Sequence, residues 1–201
     1  MACAASAGEL EDELTRKAGV CNSITNVHTL ANKGANLNAK DNAGQTALMK
    51  AVRMGNCNME VVRFLIEKGA DVNAYDKHGL TALIFAAHKG SMDTVRLLLD
   101  KGADVNAKGD WSFLETRWTP LFFAISETAN VDIIRILIDK GADMNAKDGD
   151  GHTVLWHINS KIKKGRSGLN ARGDVVYMPL PKAEKEAYEE IVRILERAGA
   201  R

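Results

Sequence analysis

What the sequence lacks excludes several classes of function. No uninterrupted apolar run approaches the roughly 20 residues that a transmembrane helix needs, so the sequence predicts no membrane-spanning segment. Neither sign of charge is in excess, because 27 lysines and arginines are interspersed with 26 aspartates and glutamates. This balance leaves no basic surface of the kind that binds nucleic acid, and we expect no nucleic-acid partner.

Recognised catalytic signatures are also missing. The chain has no glycine-rich phosphate loop ending in Lys-Ser/Thr, no nucleophile elbow and no HExxH pair. Its 5 histidines lack the local spacing of metal ligands, although stacked repeats can bring His78 nearer to His152 than the sequence suggests. We therefore expect no enzymatic activity, no cofactor and no metal site.

The start of the chain leaves the cellular compartment open. MACAASAGELEDE has no basic segment followed by an apolar core, so it is not an intact secretory signal, and we interpret residues 1–7 as a flexible tail. A cytoplasmic protein is the default expectation. An exported or envelope-attached protein is the alternative, because Cys3 stands among small residues near the terminus as a lipidated cysteine does.

One phrase recurs along the chain. KGANLNAKD, KGADVNAYD, KGADVNAKG and KGADMNAKD follow one another, and RAGAR closes the series. A second phrase, which runs TALM, TALI, TPLF and TVLW, stays in step with the first. Two markers in phase indicate an internal repeat, which is typical of proteins built by stacking similar units. The equivalent glycines are Gly34, Gly69, Gly102, Gly141 and Gly199.

Each unit is interpreted as a helical hairpin. A glycine after the NAxD segment supplies the backbone angles of a tight turn, and the threonine that follows caps a first helix by accepting a backbone N–H. Small residues four apart, such as Ala82 and Ala86, let a neighbouring helix approach closely. The second helix carries large apolar residues at intervals of three and four, such as Val95, Leu98 and Leu99. One hairpin cannot bury that face alone, so the units must stack.

These phrases resemble the ankyrin repeat in the T-P/A-L start, the AA-x-x-G helix end, the V-R-x-L-L-x-K-G-A-D-V-N phrase and the 33-residue step from Gly69 to Gly102. The resemblance implies an all-α solenoid of about five helix-turn-helix units with short β-turn or hairpin connections, forming an L-shaped stack with capping repeats at both ends. We expect one monomeric repeat domain over 8–201, with insertions at 109–118 and 165–181. Its approximate units are 8–39, 40–73, 74–106, 107–145 and 146–201.

The chain departs from the family at one motif position. The family usually has histidine as the fourth residue of its T-P-L-H phrase, whereas this chain has Met49, Ile84, Phe122 and Trp156. We therefore expect a more apolar and less hydrogen-bonded layer beneath the turns.

The resemblance implies a protein-interaction module, because similar repeats bind many unrelated proteins along a concave side formed by first helices and turn tips. The fourth-unit insertion, KGDWSFLETRWT, adds aromatic residues and arginine, which are frequent binding anchors, in an expected protruding finger. Folding back onto the stack is the alternative for its tryptophans and phenylalanine. The residues expected to contact a partner protein are Arg53, Met54, Tyr75, Lys77, His78, His88, Lys89, Trp111, Phe113, Arg117, Trp118, Ser126 and Glu127.

Two cysteines suggest a covalent link between units. Cys21 lies 13 residues before Gly34, and Cys57 lies 12 residues before Gly69. Both fall between the helices of adjacent stacked units, so a disulfide between them is geometrically conceivable. Such a bond would favour an exported protein over a cytosolic one, and two unrelated thiols are the alternative.

Two other functional interpretations stay open. The long loops of the fourth and fifth units would hold a small-ligand or enzymatic site if Trp156, His157 and Tyr177 converged there with nearby basic residues. A structural scaffold or spacer is the other alternative, since the repeats themselves name no partner.

Overall fold

The computed structural model describes residues 7–21, 23–110, 117–169 and 175–200. Over these ranges the chain forms successive helical hairpins, so the expected all-α repeat architecture is confirmed. The first helices of the hairpins are α1 (Ala7–Ala18), α3 (Ala47–Arg53), α5 (Ala82–Lys89), α7 (Pro120–Phe123) and α9 (Val154–Lys164). The second helices are α2 (Ile24–Asn32), α4 (Met59–Glu67), α6 (Met92–Asp100), α8 (Val131–Asp139) and α10 (Lys182–Arg197).

Two short irregular helices accompany these pairs. A 3₁₀ turn, Gly55–Asn58, leads into α4, and a π-helical turn, Ala124–Thr128, directly continues α7. In the described ranges no helix is long and apolar enough to span a membrane.

The first helices form the most closely packed layer of the stack. Helix α3 packs between α1 and α5, and α5 packs on α7 and its π-helical continuation. Every residue from Ala82 to Ala87 is buried, which the small alanines at both ends of this run make possible. The large residues of the second helices, such as Leu65 and Leu98, are fully buried beneath this layer.

The turns begin the first helices in the expected way. Thr46, Thr81 and Thr153 each accept a hydrogen bond at Oγ1 from the backbone N–H three residues later. Each of these threonines therefore satisfies one of the N–H groups that a helix start leaves unpaired. Thr119 makes no such cap, and Pro120 follows it at the first helical position.

A ladder of asparagines joins each of the first three units to the next. In each rung an asparagine Oδ1 accepts the N–H of an aspartate in the following unit, at 2.7–2.8 Å. Asn73 and Asn106 also donate from Nδ2 to the carbonyls of Gly102 and Gly141, at 3.0 and 3.1 Å. These bonds pair the backbone where each second helix ends. The rungs are Asn38–Asp71, Asn73–Asp104 and Asn106–Asp143.

The layer beneath the turns is apolar in three of its four expected positions. Met49, Ile84 and Phe122 are at most 2% exposed. The expectation is wrong for Trp156, which is 45% exposed. The helices that carry the first three, α3, α5 and α7, pack together in the layer of first helices, whereas no later first helix packs on α9 in the described chain.

The two predicted insertions are described to different extents. The one in the fifth unit contains a hairpin of β1 (Arg166–Leu169) and antiparallel β2 (Val175–Met178), with Arg166 opposite Met178. The one in the fourth unit is described only at its base, where Gly109 and Trp118 exchange two backbone hydrogen bonds of 3.0 Å. The N–H of Asp110 donates to the carbonyl of His78 at 2.8 Å, which attaches this base to the third unit.

Some sequence-based expectations fall outside the described residues. Residues 1–6 of the expected tail are among them, and α1 already begins at Ala7. Cys21 is disulfide-bonded. The side chain of Cys57 lies outside the described set, so its pairing with Cys21 stays a prediction.

Candidate functional site

We call the exposed residues of α1, α3, α5, α7 and α9, together with the turns that lead into them, the first-helix face. Arg53 on this face is exposed but fixed in position. Its Nη1 donates to Oε1 of Gln45 at 2.8 Å, and its guanidinium lies 5.4 Å from the ring centre of Phe85. Gln45 donates to Oδ2 of Asp76 at 3.3 Å, which links two units. An arginine held in this way loses little conformational freedom when a partner binds it.

Tyr75 presents an exposed ring in the turn before α5, with 60% of its surface accessible. Lys40 Nζ lies 4.4 Å from the ring centre and donates to the Tyr75 carbonyl at 2.7 Å. The ring borders a groove of about 340 Å³ that Thr81 and Ala107 also line. This part of the face combines an aromatic surface with a fixed positive charge.

A cavity of about 220 Å³ lies where the fourth and fifth units meet. Aromatic and aliphatic side chains supply most of its wall, and a lysine, a serine and a histidine supply its polar groups. Mixed linings of this kind are typical of sites that accept a largely apolar group and orient it by a few polar contacts. The lining residues are Trp118, Phe122, Ile125, Ser126, Val154, His157 and Lys161.

Lys161 joins the polar side of this cavity to the final helix. Its Nζ donates to the carbonyl of Ser126 and, at 3.1 Å, to the hydroxyl of Tyr188. The Tyr188 hydroxyl donates to the carbonyl of Ile125 at 3.3 Å, and its ring is 2% exposed. Carbonyls of the π-helical turn are thus paired by side chains from the fifth unit.

Trp118 is packed back onto the stack and half-buried, which is the alternative expected for this residue. Its ring stacks on Phe122 with centres 5.9 Å apart and meets Phe123 and His157 edge-on. The indole Nε1 is buried and has no acceptor in the described part of the chain. A buried donor without an acceptor is costly, and such a group warrants a search for its partner.

Asp148, His152 and His157 meet at the turn before α9. Oδ1 of Asp148 accepts the N–H groups of Asp150 and His152 at 3.0 and 2.8 Å. Its Oδ2 lies 2.6 Å from Nε2 of His157, and Nδ1 of His152 lies 3.9 Å from Oδ1. The Asp148 side chain is only 4% exposed.

The environment of Asp148 lowers its pKa. Burial alone would raise the pKa, but the hydrogen bond from His157, those from the backbone and the nearby imidazole charge lower it by more. Asp41 occupies the same turn position in the second unit, where burial is outweighed by hydrogen bonds from Lys50 and the backbone. An aspartate with a lowered pKa is therefore a feature of both turns, although the Asp148 side chain is only 4% exposed and the Asp41 side chain is 21% exposed.

The residues predicted to bind a partner occupy three kinds of position. Seven are exposed, and these are Arg53, Met54, Tyr75, Lys77, His78, Lys89 and Arg117. Three are half-buried, and these are His88, Trp118 and Ser126. Trp111, Phe113 and the side chain of Glu127 lie outside the described set.

The grouping of Asp148 with two histidines was not expected from the sequence. His152 meets His157 of its own unit, with ring centres 6.1 Å apart, whereas the sequence suggested an approach between His152 and His78 of a different unit. Alignment of the units offered a signal, because Lys50 and His157 each stand nine residues after the aspartate of their turn.

Comparison with known proteins agrees with the geometry. A family described as ankyrin repeats in three copies matches residues 17–109 and, overlapping them, residues 76–148. No curated protein matches the sequence. The family match covers more than half of the chain and includes the helices from α2 to α8 and the asparagine ladder, and the chain belongs to the ankyrin repeat family.

Proposed function

We propose that the chain is a protein-interaction module whose partner binds the first-helix face, the side that we expect to be concave. Ankyrin repeats are generally protein–protein interaction modules, and the family is typically non-enzymatic. The proposal adds the binding surface and the residues that contact the partner.

The distribution of exposed apolar side chains carries this choice of face. Of the six exposed large apolar residues in the described ranges, Met54, Tyr75 and Trp156 lie on first helices or the turns next to them, whereas Val20 follows α1 and the other two, Tyr177 and Met178, lie on β2. In the described part of the chain, none of the five second helices has an exposed large apolar residue. Aromatic and methionine side chains are enriched in the cores of protein interfaces, whereas their exposure elsewhere costs solubility.

Charged residues of the second helices make a different pattern. Arg135 pairs with Glu190 and Lys140 pairs with Asp100, both at 2.9 Å and both between neighbouring units. Charges that already pair with each other are less available to a partner. Arg53, by contrast, is bound to the neutral Gln45 and keeps its positive charge for an acidic group.

The fourth-unit insertion is proposed to extend the binding surface. Its base is attached to the third unit by the hydrogen bond from the N–H of Asp110 to the His78 carbonyl. The N–H of Arg117 donates to Oδ1 of Asp110, so the two ends of the segment between Asp110 and Arg117 are held together. Trp111 and Phe113 lie within that segment and are proposed as anchors for the partner.

The face is tested by capturing the partner from the native source with the full chain. We expect the double variant Tyr75→Ala/Trp156→Ala to capture at least about tenfold less partner, since two anchor residues at roughly 1 kcal/mol or more each are lost. The matched control is Arg63→Ala/Arg96→Ala, which removes two exposed residues from second helices. Equal losses in the two double variants would contradict the proposed face.

The insertion is tested separately with Trp111→Ala/Phe113→Ala. Capture should weaken while the urea midpoint stays unchanged, because a binding anchor contributes contacts only in the complex. Unchanged capture would remove the insertion from the site and leave the proposal for the first-helix face intact.

A further inference from the structure

We propose that Asp148, His152 and His157 form a binding site for a divalent transition-metal ion, with Zn²⁺ as the ion best matched to two imidazoles and one carboxylate. Each residue offers one ligand atom, and these atoms all lie within 4.8 Å of one another. The proposed metal site rests on this cluster and not on the proposed partner surface, and the two meet where Trp156 stacks on His152.

The distances require only small adjustments to accept an ion. Zn–N and Zn–O bonds of about 2.0–2.2 Å place tetrahedral ligand atoms about 3.3 Å apart. Asp148 Oδ2 and His157 Nε2 are closer than this, at 2.6 Å, and His152 Nδ1 is further from Asp148 Oδ1, at 3.9 Å. The ligand atoms must therefore move from separations of at most 4.8 Å to about 3.3 Å, a change on the order of 1–2 Å that side-chain rotations can supply.

The three side chains are already oriented by their surroundings. Two backbone N–H groups hold Oδ1 of Asp148, so Oδ2 is the oxygen presented to an ion. The His152 ring stacks on Trp156 with centres 3.6 Å apart and an angle of 12° between the ring planes. The His157 ring meets Trp118 edge-on at 5.7 Å. Ligands fixed in this way lose little freedom on binding a metal, which favours affinity.

The two histidines are accessible enough for an ion to reach the cluster from solution. The carboxylate is 4% exposed, whereas the side chains of His152 and His157 are 36% and 29% exposed. The ion would thus be reached from solvent on the imidazole side and bound on its inner side by a buried anion. Three protein ligands leave a fourth position for water.

The other turns show that the ankyrin hairpin does not require these histidines. In the second unit Lys50 Nζ binds Oδ2 of Asp41 at 2.7 Å, and a protonated lysine has no lone pair for a metal. In the third unit the equivalent carboxylate, Asp76, binds Gln45. Pairing of the turn aspartate is therefore achieved without imidazole elsewhere, and among the described residues only the fifth unit forms a group of this type.

The test uses isothermal titration of the untagged full chain with ZnCl₂. We expect one Zn²⁺ per chain. His157→Lys recreates the Asp41–Lys50 pair of the second unit, so it should keep the turn. It should weaken Zn²⁺ binding at least about tenfold, because loss of even an outer-shell contact typically weakens metal binding by about that factor. His152→Ala should weaken binding to a similar degree, and each variant is checked for its fold by circular dichroism.

Two further measurements keep the outcome decisive. His28→Ala is the control, because it removes an exposed histidine outside the cluster and should bind Zn²⁺ like the unaltered chain. Substitution by Co²⁺ should give the intense visible absorption of a four-coordinate site, and His152→Ala should abolish it. Zn²⁺ binding that is absent, or equal in the unaltered chain, His152→Ala and His157→Lys, would overturn the proposal. If His157→Lys does not fold, His152→Ala decides the result.

Discussion

The second and third units differ from the fifth in what they place on the same motif positions. The fourth residue of the threonine phrase is buried in the second and third units, as Met49 and Ile84, and exposed in the fifth unit, as Trp156. The turn aspartate is paired by Lys50 in the second unit and by His157 in the fifth. The backbone of the turn is alike in all three, so the difference shows that side-chain chemistry can change where the hydrogen-bonded frame is kept.

That frame is visible in the turn aspartates themselves. Asp41, Asp76 and Asp148 each accept at Oδ1 the N–H groups two and four residues later. One oxygen thus maintains the turn, and the other oxygen is available for a different partner in each unit. Substitutions in the common frame and at the variable positions should therefore differ in their effect on stability.

The largest effect is expected from equivalent positions in the third and fifth units. Ile84→Ala should lower the free energy of unfolding by about 2–5 kcal/mol, because it leaves a cavity in the buried layer. Trp156→Ala should cost about 1 kcal/mol or less, since the ring is partly exposed and loses mainly its stacking on His152. Urea denaturation measures both, and equal costs would show that Trp156 is a core residue.

Two turn glycines test where the frame is most tightly packed. Both Gly79 and Gly102 have a positive φ, of 76° and 82°. A Cβ at Gly79 would meet the carbonyl oxygen of Lys108 at 2.7 Å, whereas a Cβ at Gly102 would meet nothing within 4 Å. Gly102→Ala should therefore cost about 1 kcal/mol from backbone strain, and Gly79→Ala at least about 2 kcal/mol. Thermal unfolding that ranks them in the opposite order would contradict the described contact.

Asparagine substitutions ask whether the fourth-unit insertion weakens the ladder. Asn73→Ala and Asn106→Ala each remove one accepted and one donated hydrogen bond to the next unit. Each should lower the free energy of unfolding by about 1–2 kcal/mol, because a net hydrogen bond contributes about 0.5–1.5 kcal/mol. Urea denaturation measures both losses. If Asn106→Ala lowers the free energy of unfolding much less than Asn73→Ala does, the insertion weakens the hydrogen bonds between the third and fourth units.

The smallest effect is expected from acid titration of the two ion-paired turns. The folded-state pKa values of Asp41 and Asp148 lie below the ordinary value of 3.8, because hydrogen bonds outweigh burial. Their contribution is therefore complete above that value and is lost as the pH falls through the folded-state pKa. Asp41→Asn and Asp148→Asn should be less stable than the unaltered chain near pH 7 and approach its stability near pH 3. Urea midpoints at both pH values provide the measurement.

Features that depend on local signals could be predicted from the sequence. The glycine and threonine of each turn lie next to the helix that they begin, and three of the threonines do cap it. The apolar intervals around Val95 and Leu98 similarly identified a buried helix face. The family match followed from the same short phrases.

Features that depend on contacts between distant residues were not predicted. The cavity joins Trp118 to Lys161, and its polar side is completed by Tyr188 from the last helix. In the described residues no later first helix packs on α9, and the repeat motif alone does not specify whether Trp156 is covered. The contact between Asp148 and His157 depends on the direction of two side chains within one turn, and residue spacing left that direction open.

The asparagine ladder runs in one direction along the polypeptide. Asn73 binds backbone groups that are made about 30 residues later, and Asn106 does the same for the unit after it. During synthesis, each asparagine is therefore made before the loop whose backbone groups it will bind. Each completed hairpin can then bind the backbone of the next hairpin as that hairpin is made. Within the ladder, loss of the first hairpin takes the Asn38 acceptor from the N–H of Asp71, whereas loss of a later hairpin leaves an exposed asparagine amide that water can pair.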